Sequence, residues 1–315
     1  GQNRLDDALD AIILALKLQP GNTTGFRLLS ELLEATYTAG NDLSQTLSAH
    51  PDLKGMLAYI QTSLEKVIRS EPELLELQIL SADLMFECGD KEEAITLYQS
   101  LLQKLPFNHP LLWRTQFGLG KLALHVGKLD TALVALKEAV KLKPEHCDIL
   151  KALAETYLSV NLSREALETS FSVVNLQAGD PKSYLWQAYL CLKMNDPEEA
   201  ATAIEKAMTL EPENPDLILM HARALLAAGS AEAALARLDA VTSRTDLPVN
   251  TLASAATLYS ELGHPSKTSS CLKKAVESDP TPRIDLLTQL ADAYASQDQP
   301  EAALRTLDQL SLIHI

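Results

Sequence analysis

Residues 181–214, PKSYLWQAYLCLKMNDPEEAATAIEKAMTLEPEN, are the stretch onto which the rest of the chain can be aligned. Six other segments overlay on it, and small residues then fall at the same places in every segment. One series, with intervals of 38, 34, 34, 34, 34 and 35 residues, is Ala82, Gly120, Ala154, Ala188, Ala222, Ala256 and Ala291. A second series has the same intervals in the same order: Ala94, Ala132, Ala166, Ala200, Ala234, Thr268 and Ala303. Two independent series that agree indicate an internal repeat.

Each repeat is predicted to be a pair of helices, because its apolar residues recur three and four positions apart. The break between the two helices is marked in every repeat by a residue that adopts the left-handed conformation at low cost. These residues are Gly89, Gly127, Asn161, Asn195, Gly229, Gly263 and Asp298. We therefore expect a left-handed turn at each of these positions.

The second helix of the repeat begins with residues that suit a helix start. In Asp196-Pro197-Glu198-Glu199 the Asp can cap the helix and the Pro fits its first turn. The two Glu carboxylates lie where the helix dipole is positive. Second helices are expected to end near prolines that cannot continue them, namely Pro106, Pro144, Pro212 and Pro280.

With this repeat spacing and these helix pairs, the chain resembles the tetratricopeptide repeat (TPR) family, whose unit is a 34-residue helix-turn-helix. The family's Leu-Gly pair is matched at Leu119-Gly120 and, with Ala for Gly, at Leu153-Ala154 and Leu290-Ala291. The Tyr that follows three residues later is matched by Tyr157 and Tyr294, and by Tyr259 in another repeat. The family's Trp is absent from its usual place. The resemblance implies an all-α fold, a right-handed superhelical solenoid of helix-turn-helix repeats.

The predicted organisation is a single solenoid over residues 1–315. It consists of a half repeat at 1–22, a repeat with an insertion at 23–74, and regular segments at 75–108, 109–146, 147–180, 181–214, 215–248, 249–282 and 283–310. The surplus residues of the second segment lie between Gly40 and Met56. They form either a partner-specific contact or a tolerated loop.

The last six residues, LSLIHI at 310–315, do not fit the repeat. They can be encoded by CTG TCT CTT ATA CAC ATC, which resembles a transposon-end adapter used in sequencing libraries. We hypothesise that they derive from such an adapter and exclude them from functional reasoning. Together with the half repeat at the start, they predict that the chain is a fragment of a longer protein.

Net charge, the lengths of apolar runs and the cysteines indicate which partners and which cellular compartment to expect. The chain has 27 Lys and Arg against 42 Asp and Glu, a net charge of −15, so we expect no binding to nucleic acid or anionic membranes. No apolar run approaches the ~18 residues of a membrane span. Cys88, Cys147, Cys191 and Cys271 show no CxxC spacing and are predicted to be small buried hydrophobes in a reducing compartment. Cytoplasmic localisation is expected, and a periplasmic one stays open because the N-terminus is missing.

No constellation of residues indicates catalysis. His146 and Cys147 are the only tempting pair, and adjacent residues rarely orient one side chain onto the other. There is no glycine-rich phosphate loop, no HExxH motif and no metal-ligand spacing. The sequence therefore predicts a protein that is not an enzyme and uses no cofactor or metal.

The TPR resemblance implies that partners bind on a concave face lined by the first helix of each repeat. On this chain the groove residues would be Phe117, Lys121, His125, Lys151, Glu155, Leu185, Tyr189, Lys193, Leu219 and Arg223. Residues 113–223 carry 12 basic and 15 acidic side chains, against 15 and 27 in the other 204 residues. We therefore expect a peptide or protein partner with acidic groups and an apolar anchor.

Two other features limit this interpretation. The same residues could be no more than solvated helix faces, which usually carry charge. The family's clamp for a terminal carboxylate is not supported: Lys151 fits one of its places, but Glu155 stands where the clamp needs an Asn.

The sequence leaves two functions open. The first is a non-enzymatic scaffold that binds its partner in the groove. The alternative is the recognition arm of a larger enzyme, for example a transferase, or of an export or secretion machine. The partner's identity and the oligomeric state are not predicted.

Overall fold

The computed structural model describes residues 2–38, 53–279 and 284–313, and within these ranges the chain forms helices joined by short turns, with no strand. This confirms the predicted all-α class. The contacts divide the chain into two compact units, unit 1 at residues 1–176 and unit 2 at residues 177–315. The single array predicted across both units stays a prediction.

Unit 1 holds nine helices among the residues described. They are α1 (Gln2–Leu18), α2 (Thr23–Thr38), α3 (Leu53–Ser70), α4 (Leu75–Cys88), α5 (Lys91–Lys104), α6 (Leu112–Val126), α7 (Leu129–Leu142), α8 (Cys147–Ser159) and α9 (Ser163–Leu176). Most of the predicted insertion between Gly40 and Met56 lies outside the described residues. The side chain of Cys88 is also outside them.

Unit 2 holds eight helices in its described part. They are α10 (Pro181–Lys193), α11 (Pro197–Leu210), α12 (Pro215–Ala227), α13 (Ala231–Thr242), α14 (Val249–Glu261), α15 (Pro265–Ser278), α16 (Ile284–Ala295) and α17 (Pro300–Ile313). Each predicted segment from 75–108 to 249–282 contains two consecutive helices that pack against each other. Of the tail at 310–315, residues 314 and 315 lie outside the residues that the structure describes.

The turns between paired helices are left-handed at every predicted position. The φ angles are 106° at Gly89, 82° at Gly127, 77° at Gly229 and 72° at Gly263. The other three turn residues are also left-handed, with φ of 60° at Asn161, 59° at Asn195 and 55° at Asp298. Backbone hydrogen bonds close these helix ends, as where the Asp196 amide donates to the Cys191 carbonyl at 2.9 Å. The prediction is confirmed, including the replacement of Gly by Asn and Asp.

The helix start predicted at residue 196 is also confirmed. The Glu199 amide donates to the Asp196 carboxylate at 3.1 Å, and Pro197 occupies the first turn. Asp180 and Asn214 cap α10 and α12 in the same way. These bonds satisfy amides that have no partner inside the helix.

The recurring small residues are buried where paired helices meet. Ala94, Ala132, Ala166, Ala200 and Ala234 are all fully buried. At Gly120 an added Cβ would lie only 2.5 Å from the Leu136 side chain of the paired helix. The series therefore reflects close approach of the two helices of each hairpin.

First helices of successive repeats also lie side by side. In unit 1, α6 contacts both α4 and α8, and α2 contacts α4. In unit 2, α12 contacts α14. This arrangement lines up side chains from neighbouring repeats on one surface.

Candidate functional site

The first helices of unit 1 carry half of the predicted groove residues. Phe117, Lys121 and His125 lie on α6, and Lys151 and Glu155 lie on α8. Because α6 and α8 are in contact, the structure brings these five residues onto neighbouring helices. Whether they bind a partner stays a prediction.

The exposure of these side chains is not uniform. His125 and Glu155 are exposed, and Lys121 and Lys151 are half-buried. Phe117 is only 8% exposed and packs in a core cluster with residues of α7 and α8. Phe117 was expected to be presented on the groove surface; its ring instead packs in this core, because a large apolar ring is more stable when buried.

A pocket of about 600 Å³, including its open mouth, lies among α4, α5, α6 and the start of α8. Its walls are largely aromatic. The His146 ring centroid lies 5.2 Å from that of Trp113 and 6.0 Å from that of Phe117. Its lining residues are Asp83, Phe86, Tyr98, Trp113, Arg114, Phe117, Gly118, Lys121, Leu122, His146 and Asp148. A pocket with aromatic walls and a few polar groups suits an apolar side chain held in a fixed orientation.

A buried carboxylate, Asp83, lies at the base of this pocket. The Tyr98 hydroxyl donates to it, and the Arg114 Nη2 lies 3.4 Å from its Oδ2. Tyr98 can reach Asp83 because residue 118 is Gly: a Cβ there would lie 2.5 Å from the Tyr98 Cζ. Burial raises the pKa of the Asp83 carboxyl, although Arg114, Tyr98 and Lys121 act in the opposite direction.

His146 and Asp148 line the pocket at the start of α8. The His146 Nδ1 lies 3.9 Å from the Asp148 Oδ2, too far for a hydrogen bond. That buried nitrogen has no hydrogen-bond partner among the residues described. Burial raises the pKa of Asp148, while His146, Lys151 and Lys121 lower it. The His146 Nδ1 is therefore a buried polar atom that the surrounding side chains leave unsatisfied.

Two lysines add positive charge around the pocket. The Lys121 ammonium lies 5.7 Å from the centroid of the Phe117 ring, and the Lys143 ammonium lies 6.0 Å from that of Trp113. Such cation–π distances stabilise each ammonium over its ring. The pocket thus combines aromatic walls with cationic side chains and with the carboxylates of Asp83 and Asp148.

The other five predicted groove residues lie in unit 2, on α10 and α12. Tyr189 is 51% exposed, and the Lys193 ammonium lies 5.4 Å from its ring centroid. Arg223 is exposed and Leu185 is half-buried. Leu219 is only 6% exposed and belongs to the core of unit 2, so its predicted place on the groove surface has to be corrected.

Comparisons with known proteins agree with the helical hairpins. Family models described as tetratricopeptide repeat match residues 192–255 and 285–309. The chain therefore contains tetratricopeptide repeats. Tetratricopeptide repeats generally bind proteins or peptides, and their fold is generally a non-enzymatic scaffold.

Two curated proteins resemble parts of this TPR chain. A TPR repeat-containing protein, YpiA, of Bacillus subtilis (strain 168) is 25% identical over 49% of this chain and 35% of its own length. Anaphase-promoting complex subunit 7 of Homo sapiens is 29% identical over 32% of this chain and 18% of its own length. The matches therefore cover about a third or less of these relatives.

A solved structure with the same fold is the C-terminal part of a TPR repeat-containing protein from Cytophaga hutchinsonii. It is 15% identical, covers 74% of this chain and 94% of its own, and superposes with a TM-score of 0.53. This likeness concerns the fold alone.

The three cysteines whose side chains are described all have thiols whose pKa is raised by burial. Burial raises the pKa of the Cys147 thiol, which holds it protonated near neutral pH. Cys191 and Cys271 are buried and free, as predicted, whereas Cys147 is half-buried.

Over the residues described, no group of His, Cys, Asp and Glu is arranged to hold a metal ion. No helix in the described ranges is long and apolar enough to cross a membrane.

Sequence reasoning missed several pocket residues, chiefly Asp83, Tyr98 and Arg114. Asp83 follows Ala82 of the small-residue series, but charged residues stand at the same place in other repeats, as at Lys121, Glu155 and Arg223, so no signal in the sequence marks its burial. Its partner Arg114 lies 31 residues further along the chain. A contact at that separation leaves no mark in helical periodicity.

Proposed function

We propose that this protein is a non-enzymatic scaffold that binds a peptide or protein partner along its first helices. The observation that supports this most is the unit 1 pocket, where aromatic walls lie beside Arg114, Lys121 and Lys143. An apolar side chain of the partner would enter between Trp113 and His146. Acidic groups beside it would meet Lys121 and Lys151.

A second patch in unit 2 would bind in a similar way. Tyr189 offers an exposed aromatic face, with Lys193 beside it on α10 and Arg223 exposed on α12. Exposed Tyr and Arg side chains are frequent anchors of protein interfaces. Each patch is proposed as a binding surface in its own unit.

The test uses a set of synthetic peptides of about twelve residues, each with one Leu, Phe or Trp flanked by Glu. Matched peptides carry Lys in place of Glu. Fluorescence anisotropy should show binding of the acidic set about tenfold tighter than that of the basic set, the difference expected from loss of one or two charge-assisted contacts.

A triple variant should no longer bind the acidic peptides; it carries Lys151→Glu, Lys193→Glu and Arg223→Glu. Its control, Lys141→Glu, Lys206→Glu, Lys273→Glu, adds the same negative charge on the second helices α7, α11 and α15 and should retain them. If both triple variants lose binding equally, the effect is one of net charge and the proposed surface is wrong. If no peptide of either set binds, the proposal of a peptide scaffold fails.

The recognition arm of a larger enzyme or export machine is the second candidate, because the curated relatives are much longer than the parts they share with this chain. It would use the same surface. A long-read sequence of the native locus separates the two: a catalytic or membrane domain in the same frame supports the arm, and further repeats with a polar capping helix support the scaffold.

A further inference from the structure

A groove in unit 2 lies apart from the unit 1 pocket and from the unit 2 patch around Tyr189. It has a volume of about 1090 Å³, including its open mouth, and lies among α14, α15 and α16. Pockets that hold small ligands usually measure about 300–1,000 Å³, so this groove has room for a segment of peptide. Its polar lining includes Thr257 and Ser260 of α14, Thr268 of α15, and Asp292 and Ser296 of α16.

A bond that joins two first helices one repeat earlier is not repeated at this groove. There the Thr251 hydroxyl of α14 donates to the Asp216 carboxylate of α12 at 2.9 Å. The corresponding residues of the next repeat are Leu286 on α16 and Asn250 on α14, which cannot form the same bond because Leu286 has no hydroxyl.

The groove walls are nevertheless fixed relative to each other. The Gln297 side-chain amide, just after α16, donates to the Pro265 carbonyl at the start of α15 at 2.9 Å. It also donates to the Ala293 carbonyl of α16 at 2.8 Å. These bonds hold the end of α16 against the start of α15, so a ligand meets a groove that is already formed.

The polar groups of the groove are mainly hydrogen-bond acceptors. The hydroxyls of Thr257, Thr268 and Ser296 donate to backbone carbonyls three or four residues earlier, at 3.2, 3.1 and 2.8 Å. A hydroxyl has a single proton, so each of these groups offers a ligand only the lone pairs of its oxygen. The carboxylate of Asp292, which is exposed in the groove, also accepts hydrogen bonds. A ligand that fits this groove therefore supplies donors.

The charge of the first helices changes sign before this groove. Helices α6, α8, α10 and α12 each contain at least one Lys or Arg. Helices α14 and α16, at residues 249–261 and 284–295, contain Glu261, Asp285 and Asp292 and no Lys or Arg. Asp292 occupies the place in its repeat that Lys121 and Arg223 occupy in earlier repeats. The groove therefore attracts cations, whereas the earlier first helices offer cations to a partner.

The lysines of the intervening helix α15 do not line the groove. The Lys267 ammonium bonds to the Asp239 carboxylate of α13, and the Lys274 ammonium donates to the Thr242 carbonyl of the same helix at 3.2 Å. The Lys273 ammonium lies 3.8 Å from the Glu277 carboxylate on α15 itself.

We propose that this groove binds a basic segment of a partner protein, with an Arg guanidinium on the Asp292 carboxylate. The site is independent of the proposed function, because its lining residues belong neither to the unit 1 pocket nor to the unit 2 patch. A guanidinium presents five N–H donors in one plane, so it bonds to Asp292 and to neighbouring hydroxyls at the same time. A Lys ammonium is a compact charge that reaches fewer of these acceptors. The small side chains of Ala256 and Ala293 leave room for the flat guanidinium.

The test uses the full chain and a fluorescein-labelled peptide of about twelve residues, with two Arg residues among Gly, Ser and Ala. Matched peptides carry Lys or citrulline, which has the shape of Arg without its charge. Fluorescence anisotropy should show the Arg peptide binding about tenfold tighter than the citrulline peptide, with the Lys peptide between them. Equal affinity for the Arg and citrulline peptides would overturn the proposal, and so would the absence of Arg-peptide binding.

Chain variants separate the groove from general attraction, since a chain of net charge −15 attracts any cationic peptide. Asp292→Asn should weaken binding of the Arg peptide about tenfold. Its control is Glu277→Gln on α15, which removes the same charge from a side chain that is 63% exposed and should bind like the unmodified chain. Equal weakening by the two variants would mean attraction by net charge alone and would contradict the site.

A second pair of variants places a competing cation in the groove. Ser260→Lys adds an ammonium beside Asp292 and should weaken the Arg peptide at least as much as Asp292→Asn does. Ser270→Lys adds the same charge at an exposed position of α15 outside the groove and should have little effect. Equal effects of these two variants would also count against the site.

The acidic peptides distinguish this site from the proposed function. They should bind Asp292→Asn as they bind the unmodified chain. If they do so while the Arg peptide fails to bind, the proposed function stands and only the groove inference fails. If the Arg peptide binds through Asp292 and the acidic peptides do not bind, the groove stands and the proposed function fails.

Discussion

Unit 1 and unit 2 each contain an Asp bonded to a Tyr hydroxyl and a cationic side chain. The two clusters differ in how much of their charged side chains is exposed to solvent. In unit 1, Asp83 and Arg114 each expose only 13% of their side chains. In unit 2, Asp239 and Lys267 expose 47% and 40%. The Lys267 ammonium lies 2.6 Å from the Asp239 carboxylate, and the Tyr259 hydroxyl donates to the same carboxylate at 2.7 Å.

The pKa shifts of the two carboxyls have opposite directions. Burial raises the pKa of Asp83 in spite of its partners. The hydrogen bond from Lys267, followed by that from Tyr259, lowers the pKa of Asp239 because water already solvates much of this carboxylate. An Asp bonded to a Tyr and a cation therefore forms a destabilising buried carboxylate in one unit, with Arg as the cation, and a solvated surface cluster in the other, with Lys as the cation.

The largest expected effect comes from removing the cation of the buried cluster. Arg114→Leu removes the cation bonded to Asp83, leaves the hydrogen bond from Tyr98 and the field of Lys121, and should lower the free energy of unfolding by about 3 kcal/mol at neutral pH. The loss should shrink in acid, where the carboxyl can take up a proton. Urea denaturation followed by circular dichroism measures this, with Arg164→Leu on the exposed face of α9 as control. A loss below ~1 kcal/mol would make the buried pair no stronger than a surface pair.

A smaller effect is expected from crowding the Tyr98 side of the buried cluster. Gly118→Ala places a Cβ about 2.5 Å from the Tyr98 ring and should cost about 1–3 kcal/mol by forcing the ring away from Asp83. Gly179→Ala is the control, since nothing lies within 4 Å of its added Cβ. Thermal unfolding of both variants tests this. Equal melting temperatures would mean that Tyr98 moves without loss.

The pH dependence of stability should show the raised pKa of Asp83. The folded chain holds this proton more tightly than the unfolded chain, so the contribution of Asp83 to stability is full below the ordinary Asp value near 3.8. It is lost as the pH rises through the folded pKa. Each unit of pKa difference is worth about 1.4 kcal/mol. Relative to Asp83→Asn, the unmodified protein should gain stability as the pH falls from 7 towards about 4, and parallel curves would contradict the raised pKa.

The smallest effect is expected from the exposed cluster. Asp239→Ala should lower the free energy of unfolding by at most about 1 kcal/mol, because solvent screens the Lys267 pair. The sign of its pH dependence is opposite: the lowered pKa means that this contribution is lost as the pH falls below the ordinary Asp value. Denaturation at low and high salt measures it. A loss that exceeds that of Arg114→Leu would reverse the comparison between the two units.

Local chemistry made much of the fold predictable from the sequence. The left-handed turns at Asn161 and Asn195 and the cap at Asp196 each depend on residues within a few positions of one another. The site was harder to predict because its geometry depends on contacts between repeats. Phe117 lies four residues from Lys121 on the same helix, but packing against α7 and α8 buries it, and helical periodicity does not place that boundary.

The contact between α2 and α8 could not be predicted for a related reason. Repeat spacing describes how neighbouring hairpins stack, and it assumes that each repeat contacts only the next. The hydrogen bond between Ser30 and Arg114 joins residues 84 positions apart. A single hydroxyl and a single guanidinium leave no periodic pattern by which sequence alone could pair them.

The contact between α2 and α8 also has a consequence for synthesis on the ribosome. About 110 residues separate the end of α2 from the start of α8, and at ~5–20 residues per second their translation takes roughly 5–20 s. Phe26 and Leu29 do not wait for α8, because they pack in one core with residues of α1, α3 and α4. The N-terminal core can therefore close during synthesis seconds before α8 emerges to contact α2.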